Sequence, residues 1–267
     1  MANCELGVIG TGNMAEAILR GVLRAGVLPA ERIVASDPSE ERRLHVAELG
    51  IRCVEDNAEP ASCPRVLLAV KPQVMGDVLD SIATHVAGGA TVVSIAAGVA
   101  TGLIDERLAG RGRIVRAMPN TPMLVGEGAT ALAAGPRAGE EDLRWAESLF
   151  AASGATVLLD EAQMDAVTAV SGSGPAYFFY LIEAMIEAGV EEGLSSETAR
   201  TLAVCTCAGA AALLAETGEA PEELRRRVTS PGGTTEQAVS RLKADSVRES
   251  LIRAVRAAAE RSRELGR

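Results

Sequence analysis

The sequence predicts an α/β protein in two parts, a parallel sheet covered by helices on both faces and then an all-helical domain. Three observations predict it. Short β-branched runs alternate with helical patterns from residue 5 to about residue 159, strand-like runs stop after Asp160, and Ala-, Leu- and Glu-rich helical stretches fill the remainder. Strands that alternate with helices form βαβ units, and these make parallel sheets. The expected domains are therefore residues 1–160 and 161–267.

The expected strands are residues 6–9, 32–35, 66–70, 91–95 and 113–116, with a last one at 155–158. In the second half, breaks at 171–175, 193–196, 218–221 and 230–233 leave about five helices. The stretch 200–216 carries Ala203, Ala208, Gly209, Ala210, Ala211 and Ala212, small residues on several faces. A helix apolar all round must be buried, and a domain of about a hundred residues has trouble hiding it alone. It is expected to be either a helical dimer interface or the central helix of a monomeric bundle. The apolar run 201–215 is too short and too weakly hydrophobic for a membrane span and reads as a buried helix.

Composition narrows the partners. A formal charge of −10 argues against nucleic acid or an anionic membrane, either of which would need a surplus of Lys and Arg on one face. Three Phe, two Tyr and one Trp leave the core to aliphatic residues and alanine, so helices must pack closely. Five cysteines, an odd number without a C-x-x-C pair, fit structural thiols in a reducing cytoplasm better than a disulfide framework. Cys205 and Cys207 point to different faces of a helical run, and no metal site is expected. The chain enters a strand within its first residues without the order of a signal peptide, so a cytoplasmic location is expected. His45 and His85 fall in predicted helices outside every motif.

Gly10, Thr11, Gly12, Asn13, Met14 and Ala15 join an apolar strand to a helix. Gly10 permits the tight turn, Gly12 lets the backbone approach a pyrophosphate, and Ala15 lets helix and strand pack closely, as a dinucleotide loop requires. The next strand ends in Ser36, Asp37 and Pro38. Asp37 there either accepts from the ribose hydroxyls and favours NADH, or caps the helix beginning near Ser39. Arg42, Arg43, Ser36 and Ser39 could instead serve the 2′-phosphate of NADPH, and the choice of coenzyme stays open. Ala69, Val70, Lys71 and Pro72 end one later strand and residues 94–98, with Ala96, end the next. Both turns should line the path to the nicotinamide, since ligands bind outside the carboxyl ends of such strands. Residues 116–122 form a proline-bracketed turn that serves either the coenzyme or the architecture.

Ser230, Pro231, Gly232, Gly233, Thr234 and Thr235 stand at the mouth of a predicted helix and read as a seat for a small carboxylate. Thr234 with Gln237 fits a capping box, which places the helix start near Thr235. The N–H groups of Gly232 and Gly233, with the first of the helix, would face the anion. A carboxylate seat and a dinucleotide loop in one chain suggest a redox enzyme.

Taken with residues 9–14, 69–72, 94–98, 116–122 and 230–235, the run Val170, Ser171, Gly172, Ser173, Gly174, Pro175, Ala176, Tyr177 resembles pyrroline-5-carboxylate reductase over essentially the whole length. The resemblance implies reduction of L-1-pyrroline-5-carboxylate to L-proline by NADPH or NADH, the last step of proline biosynthesis. It also implies an N-terminal Rossmann-type domain and a C-terminal helical domain that interleaves with its twin, dimers often assembling to a decamer. By position it places Ser36, Asn57, Val70, Lys71 and Ala96 along the coenzyme and residues 230–235 on the substrate. Asp37 departs from the uncharged residue that NADPH-using relatives often carry there.

Imine reduction needs positioning more than a strong acid, because a protonated imine is already electrophilic. The residues agree: the only lysines are Lys71 and Lys243, and Ser-His-Asp and Cys-His sets are missing. A hydroxyacid dehydrogenase would lack the lysine its mechanism places on the first long helix of the second domain. A redox-sensing binding protein would not need residues 230–235. Thr235 is the expected partner of the ring nitrogen and source of its proton. Ser171 to Pro175 serves either packing or substrate contact.

Overall fold

The computed structural model describes residues 4–266. They divide into two compact units, one of residues up to Ser173 together with those from Ala258 on, the other Gly174–Ala257.

The first unit is built on one eight-stranded sheet. Its strands are β1 (Leu6–Ile9), β2 (Ile33–Ser36), β3 (Arg52–Val54), β4 (Arg65–Leu68), β5 (Thr91–Ser94), β6 (Arg113–Met118), β7 (Gly128–Ala134) and β8 (Gly154–Leu158). They lie in the order β3-β2-β1-β4-β5-β6-β7-β8. All neighbours pair parallel except β6 with β7. The helices of this unit are α1 (Asn13–Arg24), α2 (Glu40–Ala47), α3 (Ala58–Ala61), α4 (Met75–Ile82), α5 (Thr101–Arg107), α6 (Glu140–Ala151) and α7 (Met164–Val167).

Alternate residues of each strand enter different cores, as the two-residue period of a strand demands. Leu67, Val93 and Val115 pack with Ile18, Leu19 and Val22 of α1 and Leu149 and Phe150 of α6. Their neighbours Val66, Val92 and Ile114 pack with Leu79 and Ile82 of α4 and Ile104 of α5. Each such fully buried aliphatic side chain contributes about 1.5–3 kcal/mol. The sheet is thus covered on both faces, as expected from the alternating pattern.

Two strands were not expected from sequence. β3 is three residues with no apolar alternation, and β7 reads Gly-Ala-Thr-Ala-Leu-Ala-Ala, where alanine replaces the β-branched residues that announce a strand. The strands end at Leu158, but the short helical segments after it still belong to the first unit, because Met164 and Val167 pack on Ala131 and Ala133 of β7. The compact units therefore part at Ser173, later than the point where strands give way to helices.

The thiol expectation is corrected. Cys4 and Cys63 form a disulfide with Cα atoms 5.9 Å apart, while Cys53, Cys205 and Cys207 are free and none of these three is buried. The pairing arises because β1 and β4 are parallel neighbours in the sheet, which brings the residues just before each strand to the same end of it. His85 is also corrected: it is exposed in a turn after α4.

Asp142 in the first turn of α6 is the best-tied buried charge. Its carboxylate accepts from Arg113 Nε at 2.8 Å, from the Gly139 N–H at 2.9 Å and from the Thr91 hydroxyl. Burial alone would raise its pKa; the three donors outweigh burial and hold it below the usual carboxylate range. The folded-state pKa is depressed, so the stability it contributes is present above the ordinary aspartate range and lost as pH falls through the depressed value. Asp142→Ala is expected to destabilise by about 3 kcal/mol in urea unfolding at neutral pH. That deficit should shrink on acidification.

The second unit holds α8 (Gly174–Glu191), α9 (Ser196–Thr217), α10 (Pro221–Arg227) and α11 (Thr234–Ala244), and α12 (Val247–Leu265) begins in it and ends in the first. The last break, between α11 and α12, was unforeseen: Ser246 takes a left-handed φ of 53° in a stretch without Gly or Pro. The expectation that residues 201–215 are buried is also corrected. Only 11% of the apolar window in α9 is buried, and the helix is long and apolar enough by composition to cross a membrane. On α8 and α9 together Phe178, Phe179, Leu181, Leu202, Val204 and Leu213 are exposed.

Residues 258–266 close the first unit. Ser262, 3% exposed, donates to Asp165 Oδ1 at 2.6 Å, and Gly98 lies so near Leu265 that a Cβ on it would meet the Leu265 Cβ at 3.1 Å.

Candidate active site

The loop after β1 is shaped by its glycines. Gly10 has φ +91°, and a Cβ there would meet the Ala69 carbonyl oxygen at 2.7 Å, so only glycine fits without strain. Its N–H donates to the Ser36 carbonyl at 2.8 Å and joins the loop to β2. Gly12 is the N-cap of α1 with extended backbone and no side-chain cap, and a Cβ on it would meet nothing within 4 Å. The first helical N–H to find a carbonyl is that of Glu16, on Gly12. The N–H groups of Asn13, Met14 and Ala15 thus stand open at the positive end of α1, over a space that any side chain at position 12 would fill. This is the arrangement a pyrophosphate fits.

In front of the loop lies a cleft of about 380 Å³ at the carboxyl ends of β1, β4, β5 and β6. It gathers Gly12, Asn13, Met14, Ala69, Val70, Lys71, Pro72 and Ala96, all singled out from sequence. Gly10 and Thr11 are buried in the loop and do not line the cleft, and Ser36, Asp37 and Asn57 cluster at the end of β2. There Asp37 Oδ2 accepts from the Thr11 N–H at 2.8 Å and the Thr11 hydroxyl at 3.0 Å, and Ser36 Oγ donates to Asn57 Oδ1 at 2.7 Å. The helix-cap reading of Asp37 is also met in part, since its Oδ1 accepts from the Ser39 N–H at 2.9 Å; the side-chain cap of α2 itself is Ser39.

Sequence reasoning missed the residue that shapes the far wall. Asn120 is 9% exposed; its Nδ2 donates to the carbonyl and hydroxyl oxygens of Ser171, both at 3.3 Å, and its Oδ1 accepts from the Ala129 N–H at 2.8 Å. It thereby fixes a π-helical turn, Thr168–Gly172, at the cleft. The proline-bracketed turn that contains it was visible, its hydrogen bonds were not. Buried Arg116 from the same stretch faces Glu161 at 3.4 Å, and Glu161 in turn accepts from the N–H and hydroxyl of Thr101 at the start of α5.

In the second unit Ser230 to Gly233 form a tight turn. The Gly233 N–H donates to the Ser230 carbonyl at 3.0 Å, Pro231 holds the second position and Gly232 the third with φ +72°, a type II turn. Two expectations are corrected here. α11 begins at Thr234 with Gly233 as N-cap, so Thr234 and Gln237 form no capping box. The N–H groups of Gly232 and Gly233 are also occupied, the first by Glu236 Oε2 at 2.7 Å and the second by Ser230. The open donors are those of the first helical turn itself, Thr234, Thr235 and Glu236.

Residues 161–265 match the family model described as pyrroline-5-carboxylate reductase dimerisation, and residues 5–98 match that of NADP oxidoreductase, coenzyme F420-dependent. The chain is 43% identical to pyrroline-5-carboxylate reductase of Methanosarcina acetivorans, over 100% of both chains. It is 45% identical to the enzyme of that name from Pseudomonas aeruginosa, over 99% of this chain and 98% of the relative. The chain belongs to the pyrroline-5-carboxylate reductase family. Among solved structures, Plasmodium falciparum pyrroline carboxylate reductase with NADP bound superposes with a TM-score of 0.90 at 31% identity, over 100% of each chain. Membership makes the chain an NAD(P)-dependent oxidoreductase with the Rossmann-type first domain that the resemblance implied. The match to a reductase dimerisation domain supports an oligomer.

Proposed function

We propose that the chain reduces L-1-pyrroline-5-carboxylate to L-proline with NADH or NADPH, the last step of proline biosynthesis. The observation that carries this reading is the pairing, in a chain alike from end to end to reductases of that name, of two helix starts with open N–H groups, those of α1 and α11. The bound coenzyme supplies the hydride. The first unit holds it: Asn13, Met14 and Ala15 meet the pyrophosphate, Ser36, Asp37 and Asn57 the adenosine ribose, and Val70, Lys71 and Ala96 line the way to the nicotinamide. The second unit holds the imino acid, its carboxylate on the N–H groups of Thr234, Thr235 and Glu236 and its ring nitrogen beside the Thr235 hydroxyl. A helix N-terminus stabilises an anion by about 0.3–1 kcal/mol when exposed and up to about 2 when partly buried.

A homodimer covering α8 and α9, assembled further to a decamer, completes the reading, with no role for nucleic acid or membrane. A cytoplasmic location is part of the same proposal. The test is loss of reduced-nicotinamide absorbance when protein, coenzyme and pyrroline-5-carboxylate are mixed, against a panel of keto acids. Failure to turn over the imine rejects the proposal. Thr235→Ala is expected to lower kcat/KM about tenfold or more, the effect of one lost hydrogen bond of roughly 1.5 kcal/mol, with the oligomer intact by gel filtration. Unchanged kinetics would remove Thr235 from the reaction.

A further inference from the structure

NADH and NADPH differ only at the adenosine ribose, and the side chains around the end of β2 are arranged for one of them. We infer that this chain selects NADH, with Asp37 reading the ribose hydroxyl and Glu16 holding Arg42 away from the place a 2′-phosphate would take. The inference rests on the dinucleotide reading of the loop after β1.

Asp37 has little capacity left and none for an anion. A carboxylate offers about four acceptor positions. Three are taken, by the N–H and hydroxyl of Thr11 on Oδ2 and the Ser39 N–H on Oδ1. The remaining one, on Oδ1, suits a hydroxyl donor. A 2′-phosphate near neutral pH carries between about one and a half and two negative charges. It would face a carboxylate that three hydrogen bonds, two of them to buried Thr11, hold in place.

The cations that could answer a phosphate are turned elsewhere. Arg42 Nε donates to the Thr11 carbonyl at 2.8 Å, its Nη2 donates to the same oxygen, and that Nη2 lies 3.2 Å from Glu16 Oε2. Arg43 Nη1 donates to the carbonyls of Asp37 and Pro38 at 2.8 and 3.0 Å. The Ser36 hydroxyl is buried and donates to Asn57. Glu16 anchors this arrangement from the first turn of α1. Its side chain is 14% exposed and is met by Arg20 Nε at 2.9 Å, His45 Nε2 at 3.0 Å and Arg42. Burial would raise its pKa, but these partners outweigh burial and keep it below the usual range, so it is an anion at neutral pH and keeps hold of Arg42. Of these two carboxylates Asp37 touches the coenzyme, and Glu16 is a positioning residue that acts through Arg42.

The experiment is calorimetric titration of the intact protein with ADP-ribose and with 2′-phospho-ADP-ribose, which reads the adenosine subsite without any reaction. The wild type is expected to bind ADP-ribose at least about tenfold more tightly, a difference of roughly 1.4 kcal/mol. Asp37→Ser should close most of that gap, and Asp37→Asn, which keeps the side-chain shape, should narrow it. Adding Glu16→Gln to Asp37→Ser should raise affinity for the phosphorylated analogue at least a further threefold by releasing Arg42. Equal or tighter binding of the phosphorylated analogue by the wild type overturns the inference, and an unchanged double variant overturns the part given to Glu16. Failure of both analogues to bind would instead reject the dinucleotide reading of the loop.

Discussion

Gly12→Asp is expected to lower coenzyme affinity at least a hundredfold while leaving the melting temperature the same or slightly higher. The two effects have opposite signs for one physical reason. Gly12 is the N-cap of α1, its backbone is extended, and a Cβ there meets nothing within 4 Å, so aspartate fits the folded chain without strain. As an N-cap it satisfies an open N–H and adds a few tenths of a kcal/mol relative to glycine. The same carboxylate occupies the place proposed for the pyrophosphate. Two unit charges about 4 Å apart repel by about 4 kcal/mol at the effective dielectric of a protein surface, and a hundredfold loss requires only about 2.7. Titration with NADH and a thermal melt on one preparation check both halves. Retained binding would show that the dinucleotide lies elsewhere.

Gly7→Ala is expected to do the reverse, destroying the fold. Gly7 is the second residue of β1, and a Cβ on it would lie 1.8 Å from the Pro60 carbonyl oxygen and 2.5 Å from the carbonyl carbon. Both atoms are backbone, so relief requires α3 to move off β1, the strand from which the coenzyme loop springs. Overpacking a core commonly costs about 1–3 kcal/mol, and a clash with backbone belongs at or above the top of that range. Urea unfolding should show a loss of at least about 3 kcal/mol or a chain recovered only in inclusion bodies. A midpoint near that of the wild type would mean that α3 yields easily.

These two glycines also mark the limit of what can be read in a sequence. Gly12 was legible because its role is local: strand, turn and helix start lie within a few residues. Gly7 was not, because Pro60 reaches it only through the sheet order that seats α3 beside β1. The same division holds across the chain. The β-branched strands β1, β2, β4, β5 and β6 announced themselves, whereas alanine-rich β7 is held by its register with β6 and β8. That Lys71, Val70 and Ala96 line the cleft was legible because they follow strand ends. Asn120 was not, because its meaning lies in the backbone of residues 129 and 171. In the second unit the turn at Gly232 was legible in its Pro-Gly pair, but the expected capping box is missing because the helix starts one residue earlier with Gly233 as N-cap, and Glu236 reaches back to the Gly232 N–H that was expected to face the anion.

The closure of the first unit by residues 258–266 bears on how the protein emerges from the ribosome. The nucleotide-binding sheet is synthesised first, yet Ser262 and Leu265 reach Asp165 and the Gly98 turn only after the whole second unit has been translated. The nascent sheet must therefore wait, with the groove that receives Ala259 and Ser262 uncovered, until the last helix arrives. Pulse proteolysis of stalled chains should find the sheet cleavable at lengths short of residue 258 and protected once that helix has left the exit tunnel.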